Sequence, residues 1–199
     1  MNENQKLDLL ERRVRALESK LNLENPAEGV TEVEIPVQLD EDATLPTYAN
    51  FTDAGADIYA KEDIWIVPHQ TKILKTGIRV AIPEGFEIQI RPRSGISAKT
   101  SLRVPNSPGT IDTGYRDEVG IILYNEAVRN NSIEGAVDIK LNPVNPPKGM
   151  PKGTYLIKKG DRIAQMVVAK VYKAKFVKVD DVSKIGQNRG GGFGHTGVE

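Results

Sequence analysis

The sequence predicts an all-β protein, a jelly roll or β-barrel, carrying a short coiled-coil-like α-helix at its N-terminus. Three observations support this. From about Thr31 onward, apolar residues alternate with polar ones at the period of a half-buried strand. The apolar runs are short and repeatedly broken by glycine and proline, of which the chain has 18 and 12. Only the first two dozen residues follow a helical period instead.

In that first segment, Leu7, Leu10, Val14, Leu17 and Leu21 are spaced three, four, three, four, which is the a/d repeat of a coiled coil. Glu11 and Arg15 add an oppositely charged pair one helical turn apart. Asn25-Pro26 ends the helix, so residues 1–25 form an amphipathic helix and residues 26–29 a linker. A β domain over residues 31–185 follows. Its first strand is expected at Val33, Ile35 and Val37, and the next at Ile64-Trp65-Ile66-Val67, stopped by Pro68. Residues 73–82 and 86–90 flank the turn Pro83-Glu84-Gly85. Residues 119–124 and 162–171 read as further strands. Residues 126–156 are rich in Asn, Pro and Gly and read as a long loop insertion, with a small strand at Val137-Asp138-Ile139-Lys140-Leu141. Residues 186–199 form a glycine-rich C-terminal lid.

Composition limits the function. Lys plus Arg equals Asp plus Glu at 27 each, which argues against a general nucleic-acid binder. No cysteine is present, so disulfides, thiolate metal sites and cysteine nucleophiles are excluded. The apolar runs are too short to span a membrane, and the polar start lacks a signal-peptide core, so a cytoplasmic protein is expected.

Five polar segments interrupt the strands. In Asp53-Ala54-Gly55-Ala56-Asp57-Ile58, Asp57 is either a turn carboxylate or a ligand to magnesium through water. Arg91-Pro92-Arg93-Ser94-Gly95 is either a solvated strand end or a phosphate-binding stretch. Asn106-Ser107-Pro108-Gly109-Thr110-Ile111-Asp112 continues through Thr113-Gly114-Tyr115-Arg116 as a turn and hairpin. There Asp112 is placed to act as a general base and Tyr115 to offer a flat face, or both are ordinary hairpin residues. In Lys159-Gly160-Asp161-Arg162-Ile163-Ala164-Gln165, two polar side chains enter an apolar run. Structural pairing is favoured for Arg162, whereas Gln165 remains open to pairing or ligand binding. The fifth segment, residues 189–197, is too glycine-rich to order itself, and is either a simply disordered tail or a stretch that closes over a ligand.

In this order, the five segments resemble the five motifs of the trimeric dUTPase family, over about residues 53–197. The resemblance implies a β jelly roll that trimerises, with each active site built from three chains, and magnesium-dependent hydrolysis of dUTP to dUMP and pyrophosphate. It implies that Asp112 activates water and bonds the 3′-hydroxyl, and that Tyr115 packs under the deoxyribose. Asn106 and the backbone at Gly109, Thr110 and Ile111 would read uracil. Arg93, Ser94, Gly95 and Gln165 would hold the phosphates, and Asp57 would position Mg2+ through water. Arg189, Gly194 and Thr196 of another subunit would close on the nucleotide, with Phe193 over the base. The chain departs from the family pattern at Gly114, Asp117, His195 and the spacing of Arg189.

Two other readings remain. A dCTP deaminase is similar in this hairpin, but its proton-shuttling glutamate would fall at Ile122. A regulatory binding protein on the same scaffold would use the N-terminal helix or the 126–156 loop as a surface for a protein partner.

Overall fold

The computed structural model describes residues 30–127, 135–188 and 190, together with Lys6, Leu10 and Arg13. Those three early residues are helical, and Leu10 is exposed. The rest of the expected seam, Leu7, Val14, Leu17 and Leu21, lies outside the described residues.

The body is a set of short strands with one short helix. Strands β1 (Val37–Leu39) and β5 (Ile78–Val80) form a two-stranded sheet. β2 (Ala56–Tyr59), β13 (Arg162–Lys170), β6 (Phe86–Pro92) and β8 (Gly109–Ile111) form a four-stranded sheet in the order β2-β13-β6-β8. A second four-stranded sheet runs β11 (Pro143–Val144), β10 (Ala136–Asp138), β12 (Thr154–Ile157), β3 (Ile64–Ile66). β4 (Thr71–Lys75), β9 (Gly120–Asn125) and β7 (Leu102–Arg103) make a three-stranded sheet. The strands therefore pair as four separate sheets, and the expected closed barrel is not formed among the described residues. One core joins the sheets: Ile58, Ile66, Leu74, Ile78, Ile88, Ile121 and Tyr155 all belong to the same buried cluster.

Several elements differ from the sequence expectation for local reasons. Burial alternates through residues 33–39, but strand pairing begins only at Val37. Pro36 has no N–H to donate, and its carbonyl accepts from Ala81 instead. The stretch expected as a loop contains β10, β11 and the start of β12, all very short. β10 pairs in parallel with β12, and every residue of both strands is buried. Helix α1 (Ser94–Lys99) directly follows β6, buries only Ile96 and ends where Thr100 Oγ1 donates to the Ile96 carbonyl at 2.7 Å.

Buried polar groups tie the sheets together. The fully buried Asn125 donates from Nδ2 to the carbonyls of Ile66 (3.0 Å) and Gly153 (2.9 Å), and accepts from Ala127 N–H. Asp138 closes the turn after β10. Burial opposes its charge, but the side chain and N–H of Asn142, the N–H of Lys140 and the Lys158 ammonium outweigh that effect. Its carboxyl is thereby held below the ordinary value of 3.8. A lowered folded-state pKa stabilises the fold above that value, and the contribution is lost as pH falls through the folded value. Acid titration of Asp138→Asn should therefore give a flatter loss of stability below about pH 3.8 than the parent chain. Identical acid limbs would contradict this.

No helix among the described residues is long and apolar enough to cross a membrane.

Candidate active site: a ring-sized pocket and a guanidinium cluster

β8 is the edge strand of its sheet, paired with β6 through Ile88↔Ile111, Gln89↔Thr110 and Ile90↔Gly109. An edge strand leaves half its N–H and C=O groups pointing away from its partner, free to pair with a flat polar ligand edge. Beside this edge lies a cavity of about 170 Å3, lined by Ile90, Asn106, Gly109, Thr110, Ile111, Tyr115, Val119, Gly120 and Ile122. Its glycine matters. A Cβ on Gly109 would stand 3.1 Å from Asn106 Nδ2 and 3.4 Å from Ile90 Cβ, so a larger residue would press the Asn106 amide away from the strand. Tyr115 is fixed by its hydroxyl, which donates to the Glu118 carbonyl at 2.8 Å, and by its N–H on the Asp112 carbonyl. Asp112 follows β8 directly and is exposed, and its carboxylate has no partner among the described residues. An uncommitted carboxylate beside such a pocket can accept a proton from a bound water.

Asn106, Gly109, Thr110, Ile111 and Tyr115 therefore line one cavity, whereas Asp112, expected at the sugar's 3′-hydroxyl, is not among its lining residues. Sequence reasoning did not place Ile90, Val119, Gly120 or Ile122 in its wall. The period of β9 was the available signal, since residues 120 and 122 must share a face. Ile122 puts an apolar residue in that wall.

At the other edge of the same sheet lies a polar cluster. The Asp57 side chain is only 6% exposed and accepts from Arg93 Nε at 2.8 Å and Nη2 at 3.3 Å. It also accepts from Arg162 Nη1 at 3.1 Å and, more weakly, from Gln165 Nε2 at 3.5 Å. A two-way backbone bridge with Thr47 holds the strand from behind. Gly55 packs on Gln165, where a Cβ would lie 3.2 Å from Gln165 Cβ. Ser94 and Gly95 open helix α1 and are exposed beside Arg93. The structure thus brings Asp57, Arg93 and Gln165 together, next to Ser94 and Gly95, and the pairing favoured for Arg162 is present.

Asp57, however, is not a free metal ligand. Its lone pairs face two guanidinium groups and an amide, and no cluster of three His, Cys, Asp or Glu exists among the described residues. The surrounding positive charge opposes a cation there. These residues do not fit an ion bound directly to Asp57.

The two clusters are far apart within one chain. The register places Asp112 opposite Glu87, and Arg93 lies six residues further along the same strand line. At the rise of a β-strand this is roughly 20 Å. A base and the phosphate it serves must come within hydrogen-bond reach of one water.

Arg189, Phe193, Gly194 and Thr196, expected to close over the ligand, lie outside the described residues.

The described fold thus carries a ring-sized pocket at one edge of a sheet and a guanidinium-rich cluster at the other. The chain belongs to the dUTPase family, which matches residues 41–136 and 151–197. It is 39% identical over 173 residues to the deoxyuridine 5′-triphosphate nucleotidohydrolase of Thermobifida fusca, covering 87% of this chain and 83% of that protein. It also resembles the solved structure of the Staphylococcus bacteriophage 80alpha dUTPase with dUpNHpp. That match has TM-score 0.74 and 31% identity and covers 84% of this chain and 100% of the other. The work on that phage protein describes control of transfer of virulence genes. A variant of the dUTPase from phage phi11 of S. aureus matches with TM-score 0.67 and 34% identity, covering 75% and 99% of the two chains, and is described with a structural Mg(II) ion.

Proposed function

We propose that the chain hydrolyses dUTP to dUMP and pyrophosphate, keeping uracil out of DNA and supplying dUMP for thymidylate synthesis. The observation that carries this reading is the hairpin itself: five residues of the motif line one pocket, and the uncommitted Asp112 follows directly on Ile111, one of them. Asn106 and the free edge of β8 would bond the uracil edge, and Tyr115 would lie under the deoxyribose. Asp112 would take a proton from a water attacking the α-phosphorus. The bond from that phosphorus to the bridging oxygen breaks, and the oxygen leaves with pyrophosphate. Arg93, Ser94, Gly95 and Gln165 would hold the phosphate chain. Magnesium would arrive as part of the substrate, since that ion is commonly held by substrate phosphates and its own waters. The apolar Ile122 in the wall supports hydrolysis over deamination.

The reading includes a homotrimer with shared sites. The roughly 20 Å between Asp112 and Arg93 supports it, as does a cavity below the ~300 Å3 typical of a complete ligand site. Exposed Tyr172, Phe176, Val177, Val182 and Ile185 give the C-terminal arm an apolar surface suited to a neighbouring chain. Residues 186–199 would then close over that neighbour's nucleotide. A cytoplasmic location goes with a deoxynucleotide substrate. The test is to incubate purified protein with Mg2+ and dUTP or dCTP. Pyrophosphate and dUMP are expected from dUTP and no ammonia from dCTP, and ammonia release would favour the deaminase.

We infer that residues 1–25 form a three-stranded parallel bundle on the trimer. Tethering raises the helices' effective concentration enough for a seam too short to hold alone. Deleting residues 1–25 should leave hydrolysis and the trimer intact while lowering Tm; an intact trimer of unchanged Tm would favour a free, partner-seeking helix instead, and inactive monomers would make the segment essential to assembly.

A second reading, that the chain also binds a regulatory protein partner, is favoured by the break in the family match between residues 136 and 151. Shortening that insertion should then remove partner binding while sparing turnover.

A further inference from the structure

We propose that Arg162 binds the phosphate chain of the nucleotide, with Asp57 as the residue that positions it. The proposal rests on the dUTP reading and deepens it at the anion cluster.

Regular alternation back from Gln165, which pairs with Asp57, would turn Ile163 outward and Arg162 into the core. The register of β13 against β2 instead shifts between Arg162 and Ala164. An extra residue in one strand re-aims the side chains that follow it. Ile163 and Ala164 are consequently both buried, at 1% and 0% exposure, and the Arg162 guanidinium emerges on the face of Asp57.

Charge gives the second argument. One carboxylate faces two guanidiniums, Arg93 and Arg162, so the trio carries one net positive charge. Arg91, the register partner of Gln165, adds a third guanidinium to the same face, although it bonds Gln89. The two partners of Asp57 are not equivalent. Arg93 gives Asp57 both Nε and Nη2 and is 25% exposed, whereas Arg162 gives Nη1 alone and is 51% exposed. Arg93 is therefore the anchored guanidinium. Neither Nε nor Nη2 of Arg162 bonds Asp57, and a guanidinium with two donors left matches a phosphate edge. Its Asp57 contact fixes the head group in advance, which lowers the ordering cost of binding.

The test compares two ligands on the full-length protein. The non-hydrolysable analogue dUpNHpp carries the whole phosphate chain, while dUMP carries only the first phosphate. Arg162→Gln should weaken dUpNHpp about tenfold, the worth of one charged hydrogen bond, while dUMP affinity changes less than about twofold. Unchanged dUpNHpp affinity, or equal losses for both ligands as a purely structural role would give, overturns the proposal. Arg162→Lys retains an ion pair with Asp57 but loses the planar fork. If Arg162→Gln does not fold, Arg162→Lys carries the comparison: a selective loss of dUpNHpp supports the proposal and equal affinities overturn it. A parent protein that binds neither ligand would defeat the dUTP reading itself.

Discussion

Asp112→Asn should lower kcat on the order of 10²–10⁴-fold while changing KM little. The substitution keeps the size and polarity of the side chain but removes its ability to accept a proton. The lost interaction belongs to the transition state, so it appears in turnover rather than in ground-state binding. The structural setting makes the test clean. The carboxylate is exposed and bonds no described residue, so the variant breaks no folded contact of that side chain. Thermal stability should stay close to that of the parent. Near-normal turnover would remove Asp112 from the mechanism.

Truncation after Lys184 should abolish nearly all hydrolysis and leave the fold intact. The cut removes the proposed lid, including Arg189, Phe193 and Thr196, but no residue of the buried cluster. Unfolding midpoints should therefore change little while kcat/KM collapses. Mixing gives a sharper version. If Asp112 of one chain works with the lid of another, trimers reassembled from truncated and Asp112→Asn chains should regain part of the activity. Neither variant supplies it alone. A fully active truncation would refute the lid, and a mixture as inactive as its parts would refute sharing between chains.

What could be read from the sequence follows how local each feature is. Asn106, Gly109, Thr110, Ile111 and Tyr115 lie within ten consecutive residues, so a linear motif captured five of the pocket's nine lining residues. Ile90 and Gly120 reach it only through strand pairing and side-chain alternation, which short strands do not announce. The second cluster was legible as a set of residues but not as a set of bonds. Asp57 meets Arg93 across 36 positions and Arg162 across 105, and nothing local says which cations a carboxylate will meet. That is why Asp57 read as a metal ligand and is found engaged by two guanidiniums. The same limit hid β12. Thr154–Ile157 is only four residues beside a proline-rich run, and its identity as a strand comes from Tyr155 and Leu156 pairing with both β10 and β3.

The central claim is that the β8 hairpin selects uracil on deoxyribose for pyrophosphate release. The most direct measurement is kcat/KM for dUTP, dTTP, UTP and dCTP under the same magnesium and salt. A site built to bond a substrate's polar edge rejects a mismatched one by several orders of magnitude, and a tight wall rejects an added methyl less strongly. The expected result is dUTP far above the other three, with pyrophosphate as the product. Comparable values for dUTP, dTTP and UTP would mean that Asn106, Tyr115 and the edge of β8 do not read the nucleotide, contradicting the account.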